Sequence, residues 1–232
     1  NKIEVNGMRR AHVRDGVSLV KTLYWIEKNI QQNTLNEMIV SEKLFEFREN
    51  NDNFTGLSFP TITGTGPNGA IVHYRPSKEK SRTIKKGDLL LMDSGGQYLD
   101  GTTDVTRTIV IGRPTKEKKY MFTKVLKGHI ALASAIFPYG TTGHQLDILA
   151  RKFLWKEGLD YEHGTGHGVG SFLNVHEGPQ NISKNSNSAI LEEGMVISNE
   201  PGFYKECEYG IRIENLILVK TKNTPNSHNK FL

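Results

Sequence analysis

The chain has 232 residues, 36% of them hydrophobic, which is enough sequence for one sizeable core or for two fused halves that share one. Its apolar runs are four or five residues long, against the ~20 of a membrane-spanning helix, and its first residues do not read as a secretory signal, so we expect no membrane contact. The net charge of +5 comes from scattered basic residues that are not interleaved with aromatic ones, so we expect no nucleic acid partner.

The first half of the chain predicts two helices followed by strands. Hydrophobic residues recur at helical spacing from about residue 7 to residue 30, which predicts a first helix. The sequence Thr34-Leu-Asn-Glu37 has the pattern of a capping box and predicts a second helix that runs to about Glu49. Runs typical of strands follow at 58–63, 70–73, 89–93 and 103–111.

The second half repeats this order. It predicts a helix from about 115 to 137, then another from about 142 to 156, with Gly158 as its left-handed cap. Both helix starts lie 108 residues after their counterparts in the first half. We therefore predict an α+β fold of two pseudo-symmetric α-α-β halves, whose sheets pack side by side under helices on one face. The strand-like segments of this half are 169–175, 194–199 and 209–219.

Four carboxylates and one histidine stand out because each lies in strand-like sequence or beside a tight, glycine-rich turn. The first two carboxylates flank the turn-rich stretch 95–101, so they are expected to face each other across a hairpin. The last two repeat that arrangement around a second turn. Carboxylates and imidazole are ligands of hard or borderline divalent ions, so the set suits two ions that share a bridging water. The five residues are Asp93, Asp104, His167, Glu200 and Glu214.

Each of these residues taken alone has a simpler interpretation as a turn former or a solvated charge, because acidic residues collect in turns. The carboxylates, however, repeat along the chain at offsets of 107 and 110 residues, close to the 108 of the helix starts. This agreement favours a common site at the seam between the halves.

Three longer segments resemble a known family. The segments are Leu91-Met-Asp-Ser-Gly-Gly-Gln-Tyr-Leu-Asp-Gly-Thr-Thr-Asp-Val-Thr-Arg-Thr108, His163-Gly-Thr-Gly-His-Gly-Val-Gly-Ser-Phe-Leu-Asn-Val-His-Glu-Gly-Pro179 and Gly210-Ile-Arg-Ile-Glu-Asn215. They closely resemble the Xaa-Pro aminopeptidases (aminopeptidase P) of the cytosolic eukaryotic type, over almost the whole chain. That family belongs to the pita-bread metallopeptidases, with methionine aminopeptidase, prolidase and creatinase. The resemblance implies a pita-bread fold with a curved, mainly antiparallel sheet, and a cytoplasmic enzyme.

The same resemblance implies two divalent metal ions, manganese in the first place, with zinc or cobalt as alternatives. In family terms Asp93 binds one ion, Asp104 and Glu214 bridge both, and His167 and Glu200 complete the second. A hydroxide shared by the ions attacks the peptide carbonyl on the amino side of a penultimate proline. Glu200 takes the proton of that water and passes it to the leaving nitrogen, so it is predicted to be catalytic as well as a ligand. The implied activity removes the N-terminal residue from peptides with proline in the second position.

Further positions match family residues that line the substrate cleft. His73 and His176 resemble the pair that hydrogen-bonds the scissile region, and both are predicted to be catalytic. His163 resembles the histidine beside the proline, and Tyr204 matches a cleft tyrosine. Arg212 shares a strand face with the nearby ligand because side chains alternate, and it is expected to pair with a metal-bound carboxylate. All five are predicted to bind substrate, and an ordinary surface or packing role is the alternative for each.

Two other signals are weaker. The segment Gly166-His-Gly168-Val-Gly170 has the spaced glycines of a phosphate-binding loop but lacks its strand–turn–helix context, so we predict no dinucleotide site. The single cysteine, Cys207, rules out internal disulfides and fits a reducing compartment. Its neighbours Glu206 and Glu208 disfavour the thiolate that a nucleophile requires.

Relatives of this type carry amino-terminal domains and a tail that helps to form a homodimer, whereas this chain runs from Asn1 to Leu232. We therefore expect residues 1–232 to be the catalytic metallopeptidase domain of a longer, dimeric protein. Two other functions stay open. A prolidase cleaves Xaa-Pro dipeptides and needs a positive group for the free carboxylate of the substrate. An inactive pita-bread module would bind protein or RNA, but a buried carboxylate cluster without cations is costly, which weighs against it.

Overall fold

A computed structural model describes residues 1–32, 34–186, 188–223 and 230–232, and in these residues four α-helices pack as two pairs. None of these described helices is both long and apolar enough to cross a membrane. A 3-10 turn, Ile30–Gln32, follows the first helix. The helices are α1 (Lys2–Asn29), α2 (Glu37–Glu49), α3 (Lys116–Ala133) and α4 (Gly143–Trp155).

Local caps decide where the first two helices begin. α1 begins at Lys2 and not near residue 7, because Asn1 and Glu4 form a capping box that the prediction missed. α2 is capped by the side chain of Asn36, so the predicted capping box at Thr34 is wrong. Asn36 is a good N-cap residue in its own right, since its side-chain oxygen accepts a backbone N–H of the first turn.

The second helical pair lies closer to the prediction. α4 begins after Thr142, whose backbone N–H donates to the side-chain oxygen of Gln145, and Gly158 has the expected left-handed backbone with φ of 70°. α3 ends at Ala133, before the predicted residue 137. The Ser134 hydroxyl donates to the carbonyl of Ile130, a local bond that competes with continuation of the helix.

The first half contributes two three-stranded antiparallel sheets, with strand orders β1-β4-β5 and β2-β3-β6. In the second of these, Asp93 is opposite Thr106, so the first carboxylate pair lies at one end of the sheet. The strands are β1 (Phe54–Leu57), β2 (Ile62–Thr65), β3 (Leu89–Ser94), β4 (Gly96–Tyr98), β5 (Gly101–Thr102) and β6 (Val105–Val110).

The second half forms a four-stranded antiparallel sheet, in the order β12-β9-β7-β8, and the hairpin β10-β11. The succession β3-β4-β5-β6 of the first half therefore recurs as β9-β10-β11-β12, which agrees with the predicted repeat of two α-α-β halves. The strands are β7 (Gly166–Gly168), β8 (Glu177–Ile182), β9 (Val196–Asn199), β10 (Gly202–Lys205), β11 (Tyr209–Arg212) and β12 (Asn215–Leu218).

Two predicted strand segments are wrong, and two others are strands over part of their length. Residues 70–73 end a 3-10 helix, Gly66–Ala70, and continue as a turn, while 169–175 is a loop in which Phe172 has a φ of 55°. The segment 209–219 divides into β11 and β12, and 58–63 lies mostly between β1 and β2. Short apolar runs fit a buried turn as well as a strand, so periodicity alone could not separate them.

The halves meet where β6 lies against the segment that joins β11 to β12. The backbone N–H of Glu214 donates to the carbonyl of Thr106 over 3.2 Å, and the Thr108 hydroxyl donates to the carbonyl of Arg212 over 2.9 Å. Apolar clusters pack α1 and α2 on β3, and α3 and α4 on β11. The helices thus cover one face of the strands, as predicted.

Candidate metal centre

The five predicted ligands come together at this seam because two hairpins and one short strand deliver them there. Asp93 is the last residue but one of β3, and Asp104 directly precedes β6. Glu200 directly follows β9, Glu214 directly precedes β12, and His167 is the central residue of β7. The carboxylates of Asp93, Asp104 and Glu214 belong to residues that are only 8%, 4% and 1% exposed.

The distances have the scale of a metal site. One ligand-type atom each of Asp104, His167 and Glu214 lies within 4.8 Å of the other two. The Nε2 atom of His167 is 3.2 Å from Oε1 of Glu200 and 3.5 Å from Oδ2 of Asp104. Atoms that are each about 2.1 Å from one ion lie roughly 3 to 4 Å apart. Asp93 lies on the wall of the same cavity.

A main-chain contact orients the imidazole of His167. Its Nδ1 is 2.9 Å from the carbonyl oxygen of Gly168, and because a carbonyl only accepts, Nδ1 carries the hydrogen. The Nε2 atom therefore faces the carboxylates. A Cβ atom on Gly166 would lie 2.0 Å from the carbonyl oxygen of Ser198, so this position needs glycine to let β7 approach β9.

Hydroxyl groups hold two of the carboxylates from behind. The Thr106 hydroxyl donates to Oε2 of Glu214 over 2.6 Å. The Ser198 hydroxyl donates to Oε1 of Glu200 over 2.9 Å and accepts the backbone N–H of His167. Sequence reasoning missed both residues, since threonine and serine in strands are common and carry no signal of their own.

The buried, closely spaced carboxylates of the centre favour the binding of protons or of metal cations. Burial raises the pKa of Asp93 and of Glu214, and burial together with the charges of Asp93 and Glu200 raises the pKa of Asp104 to about 7. Burial would lower the pKa of His167, but its bonds to Asp104 and Glu200 outweigh this and raise it to about 10. Burial would likewise raise the pKa of Glu200, but His167 lowers it. A metal ion would have to displace protons from this set.

Two buried oxygens show that the residues fit divalent cations. Oδ1 of Asp93 and Oε1 of Glu214 are inaccessible to water and have no hydrogen-bond partner among the described residues. A buried acceptor left in this way costs about 1–3 kcal/mol, and more when it is charged. Carboxylate oxygens with one imidazole form a donor set that suits manganese, zinc or cobalt.

The centre opens into a cavity of about 460 Å³, lined on one part by apolar side chains and on another by the centre itself. The predicted substrate residues His73, His163, His176 and Arg212 all line it. The ring of His176 packs edge-on against that of His167, with centroids 4.2 Å apart. The apolar lining residues are Phe59, Pro60, Ile62 and Val72.

Arg212 is at the centre of a hydrogen-bond chain. Its guanidinium donates to Oδ2 of Asp93 over 2.6 Å, to the Tyr204 hydroxyl over 2.6 Å and to the carbonyl of Val72 over 3.3 Å. It thus pairs with a predicted ligand, as expected. The Tyr204 hydroxyl lies 2.7 Å from Nε2 of His163, whose Nδ1 contacts the carbonyl of Gly164. Tyr204 does not line the cavity and instead supports His163 from behind.

A larger cavity of about 570 Å³ lies between α1 and α3, on the helical side of the molecule. Its walls are mostly apolar, and of the five predicted ligands only Asp104 reaches it. We assign the chemistry to the smaller cavity, because that is where the carboxylates and histidines converge.

Comparison with known proteins supports this geometry. Residues 6–221 match the profile of metallopeptidase family M24. The chain is 54% identical over 230 residues to a probable Xaa-Pro aminopeptidase P of Laccaria bicolor, in a match that covers 98% of this chain but 36% of that protein. The chain therefore spans little more than a third of the length of this relative.

Two solved structures carry the same fold. One is X-prolyl aminopeptidase from Caenorhabditis elegans, described as a cytosolic enzyme with a dinuclear active site, with a TM-score of 0.95 and 44% identity over 100% of this chain and 38% of that one. The other is an Xaa-Pro dipeptidase from Bacillus anthracis, with a TM-score of 0.83 and 29% identity over 94% of this chain and 58% of that one. The pita-bread, α+β prediction is confirmed.

Proposed function

Because the chain belongs to metallopeptidase family M24, we propose that residues 1–232 form the catalytic domain of a metal-dependent aminopeptidase that removes the N-terminal residue from peptides with proline in the second position. The observation that supports this best is the convergence of Asp104, His167 and Glu214 within 4.8 Å, beside two buried carboxylate oxygens that lack a partner among the described residues. The relative from Laccaria bicolor and the Caenorhabditis elegans enzyme support the same substrate class.

The proposed cofactor is a pair of divalent ions, manganese in the first place and zinc or cobalt as alternatives. Asp93, Asp104, His167, Glu200 and Glu214 would hold them. Such a pair supplies an activated water at neutral pH and stabilises negative charge on the attacked carbonyl. The dinuclear site of the Caenorhabditis elegans enzyme supports the number of ions, and the carboxylate-rich donor set supports the choice of metal.

Glu200 is proposed to move the proton. Its carboxylate lies on the cavity wall, is held by the Ser198 hydroxyl, and has a pKa below its ordinary value because of His167. Bound metal ions would displace the proton of His167 and would themselves hold the Glu200 carboxylate ionised, so it can accept a proton from the attacking water. It then donates that proton to the nitrogen of the leaving proline.

The three cavity histidines have different proposed roles. His73 and His176 would donate hydrogen bonds to the peptide around the scissile carbonyl; both are exposed on the wall of the cavity. Both ring nitrogens of His163 are already engaged, by Gly164 and Tyr204, and burial lowers its pKa, so its ring is neutral and offers the proline a flat surface. Arg212 supports Asp93 and Tyr204 and so fixes the wall behind the substrate.

Prolidase activity is the second candidate, since the dipeptidase from Bacillus anthracis has the same fold. We favour the aminopeptidase because the Laccaria bicolor relative has a far higher identity over the chain. An inactive binding module is disfavoured by the intact, buried carboxylates. We further propose a cytoplasmic protein that forms homodimers. The cytosolic Caenorhabditis elegans enzyme supports the location, and the resemblance to the family supports the assembly.

Two assays test the proposal. Cleavage of Xaa-Pro-Xaa tripeptides against Xaa-Pro dipeptides, with Mn²⁺ and with chelator, separates the aminopeptidase from the prolidase. Metal content measured on protein purified without added metal separates either enzyme from a binding module. Release of the first residue from the tripeptide, abolished by chelator, is the expected result, and cleavage of dipeptides alone would support the prolidase.

A further inference from the structure

Resting on the proposed function, we propose that Arg75 is a specificity-determining residue that binds a carboxylate of the peptide downstream of the scissile bond, so that tripeptides with a free C-terminus are preferred substrates. The observation behind this is the charge on the cavity wall. Two arginines line the cavity and, among its described lining residues, no lysine does. Arg212 is buried and already paired with Asp93. Arg75 is exposed and has no ion pair or hydrogen bond in the described parts of the chain.

The segment that carries Arg75 is held in place by a buried carboxylate. Glu37, which is 0% exposed, accepts the Tyr74 hydroxyl over 2.7 Å and the backbone N–H of Arg82 over 2.9 Å. It also accepts the backbone N–H of Thr65 and the side-chain amide of Asn68. The hydrogen bonds of Glu37 thus fix the segment before Arg75, after Arg75 and at the adjacent residue Tyr74. A charge on a fixed loop can be met by a ligand without the cost of ordering the loop.

The spacing along this loop fits a tripeptide. His73 is proposed to contact the scissile region, and Arg75 follows it by two residues, a separation of at most about 7 Å between Cα atoms. In an Xaa-Pro-Xaa peptide the terminal carboxylate also lies two residues beyond the scissile carbonyl, about 7 Å away. In an Xaa-Pro dipeptide the carboxylate lies one residue closer to the metal centre. The side chain of Arg75 can therefore reach a carboxylate at the tripeptide position.

The test compares two tripeptides that differ only at the C-terminus, one with a free carboxylate and one with a carboxamide. We expect the metal-loaded protein to cleave the acid with a kcat/KM about three- to fivefold above that of the amide, mainly through KM, as for an exposed charge pair. Arg75→Gln should abolish this preference and Arg75→Glu should invert it, with the amide rate nearly unchanged. The preference of the parent should fall as salt rises.

Lys78→Gln is the matched control, since Lys78 lies on the same exposed loop but does not line the cavity. It should keep the preference of the parent. An acid-to-amide ratio that is equal in the parent and in Arg75→Gln would overturn the inference while the aminopeptidase stands. If Lys78→Gln loses as much of the preference for the free acid as Arg75→Gln does, the preference arises from the general charge of the loop, and the proposed role of Arg75 is overturned. If neither tripeptide is cleaved, the proposed function fails and this inference fails with it.

Discussion

Removal of metal should destabilise the protein, and the loss should grow with pH. The pKa of Asp104 is raised from its ordinary 3.8 to about 7 by burial and by its neighbours. A carboxyl whose folded pKa lies above its unfolded pKa binds more protons when folded, so its stabilisation is present below about pH 4 and is lost as the pH rises through 7. His167, with a pKa raised from 6.5 to about 10, acts in the same direction between those two values.

The size of the effect follows from the same shift. A rise in the pKa of Asp104 from 3.8 to about 7 corresponds to a free-energy cost of about 4 kcal/mol for ionising this carboxyl without a cation. The cost is shared among the interacting groups of the cluster. For a chain of this length each kcal/mol moves the midpoint by about 2–4 °C, so Mn²⁺ should raise the midpoint by roughly 8 to 16 °C at pH 8. At pH 5 the ligands hold protons, and the rise should be much smaller.

Thermal unfolding with Mn²⁺ and with chelator at pH 5, 6, 7 and 8 measures this directly. The metal-free Asp104→Asn variant should show a flatter pH profile and gain little from Mn²⁺, because one of the crowded charges is gone. Glu27→Gln removes one charge from an exposed helical position and should behave like the parent. A metal-dependent rise of the midpoint that is equal at pH 5 and pH 8, or absent at both, would refute the reasoning.

Three further predictions concern single residues. Glu214→Gln should lose at least one ion and essentially all activity, as measured by metal content and tripeptide turnover, and a variant with both ions and near-normal turnover would contradict the assignment. His73→Ala and His176→Ala should keep both ions and lose about 10²-fold in kcat/KM, which is the effect of removing one hydrogen-bond donor to the transition state. His163→Ala should act mainly on KM. If His176→Ala turns over tripeptide at the parental rate, His176 is a packing residue. Thr106→Val removes the hydroxyl behind Glu214 and should weaken metal affinity about 10-fold in a chelator titration, and unchanged affinity would show that this bond does not orient the ligand.

The sequence was informative where chemistry and chain geometry coincide. Asp93 and Asp104 flank one tight hairpin, and Glu200 and Glu214 flank another, so strand and turn signals were enough to pair them. The repeat of helices and strands then implied that the pairs meet. The prediction of a shared site succeeded because the local strand and turn patterns around the four carboxylates agree with the final fold.

Other features could not be predicted because they are made by contacts far apart in the chain. The sequence predicts Glu37 as the N3 residue of a capping box, but its carboxylate is buried and binds a loop more than twenty residues away. Residues 70–73 read as a strand, but that loop is shaped by the same carboxylate and by close packing of Gly69 on Gly210. The support of His163 by Tyr204 likewise needs two segments that only the fold brings together.

The most direct test of the central claim is diffraction from crystals grown with Mn²⁺, recorded at the absorption edge of manganese. We expect two anomalous peaks about 3.5–4 Å apart, in the cavity between the two hairpins. Oδ1 of Asp93 and Oε1 of Glu214 should each lie within about 2.3 Å of a peak, which would give both buried oxygens a partner. No peak at this position, or a single ion bound away from Asp104, His167 and Glu214, would contradict the proposed dinuclear centre.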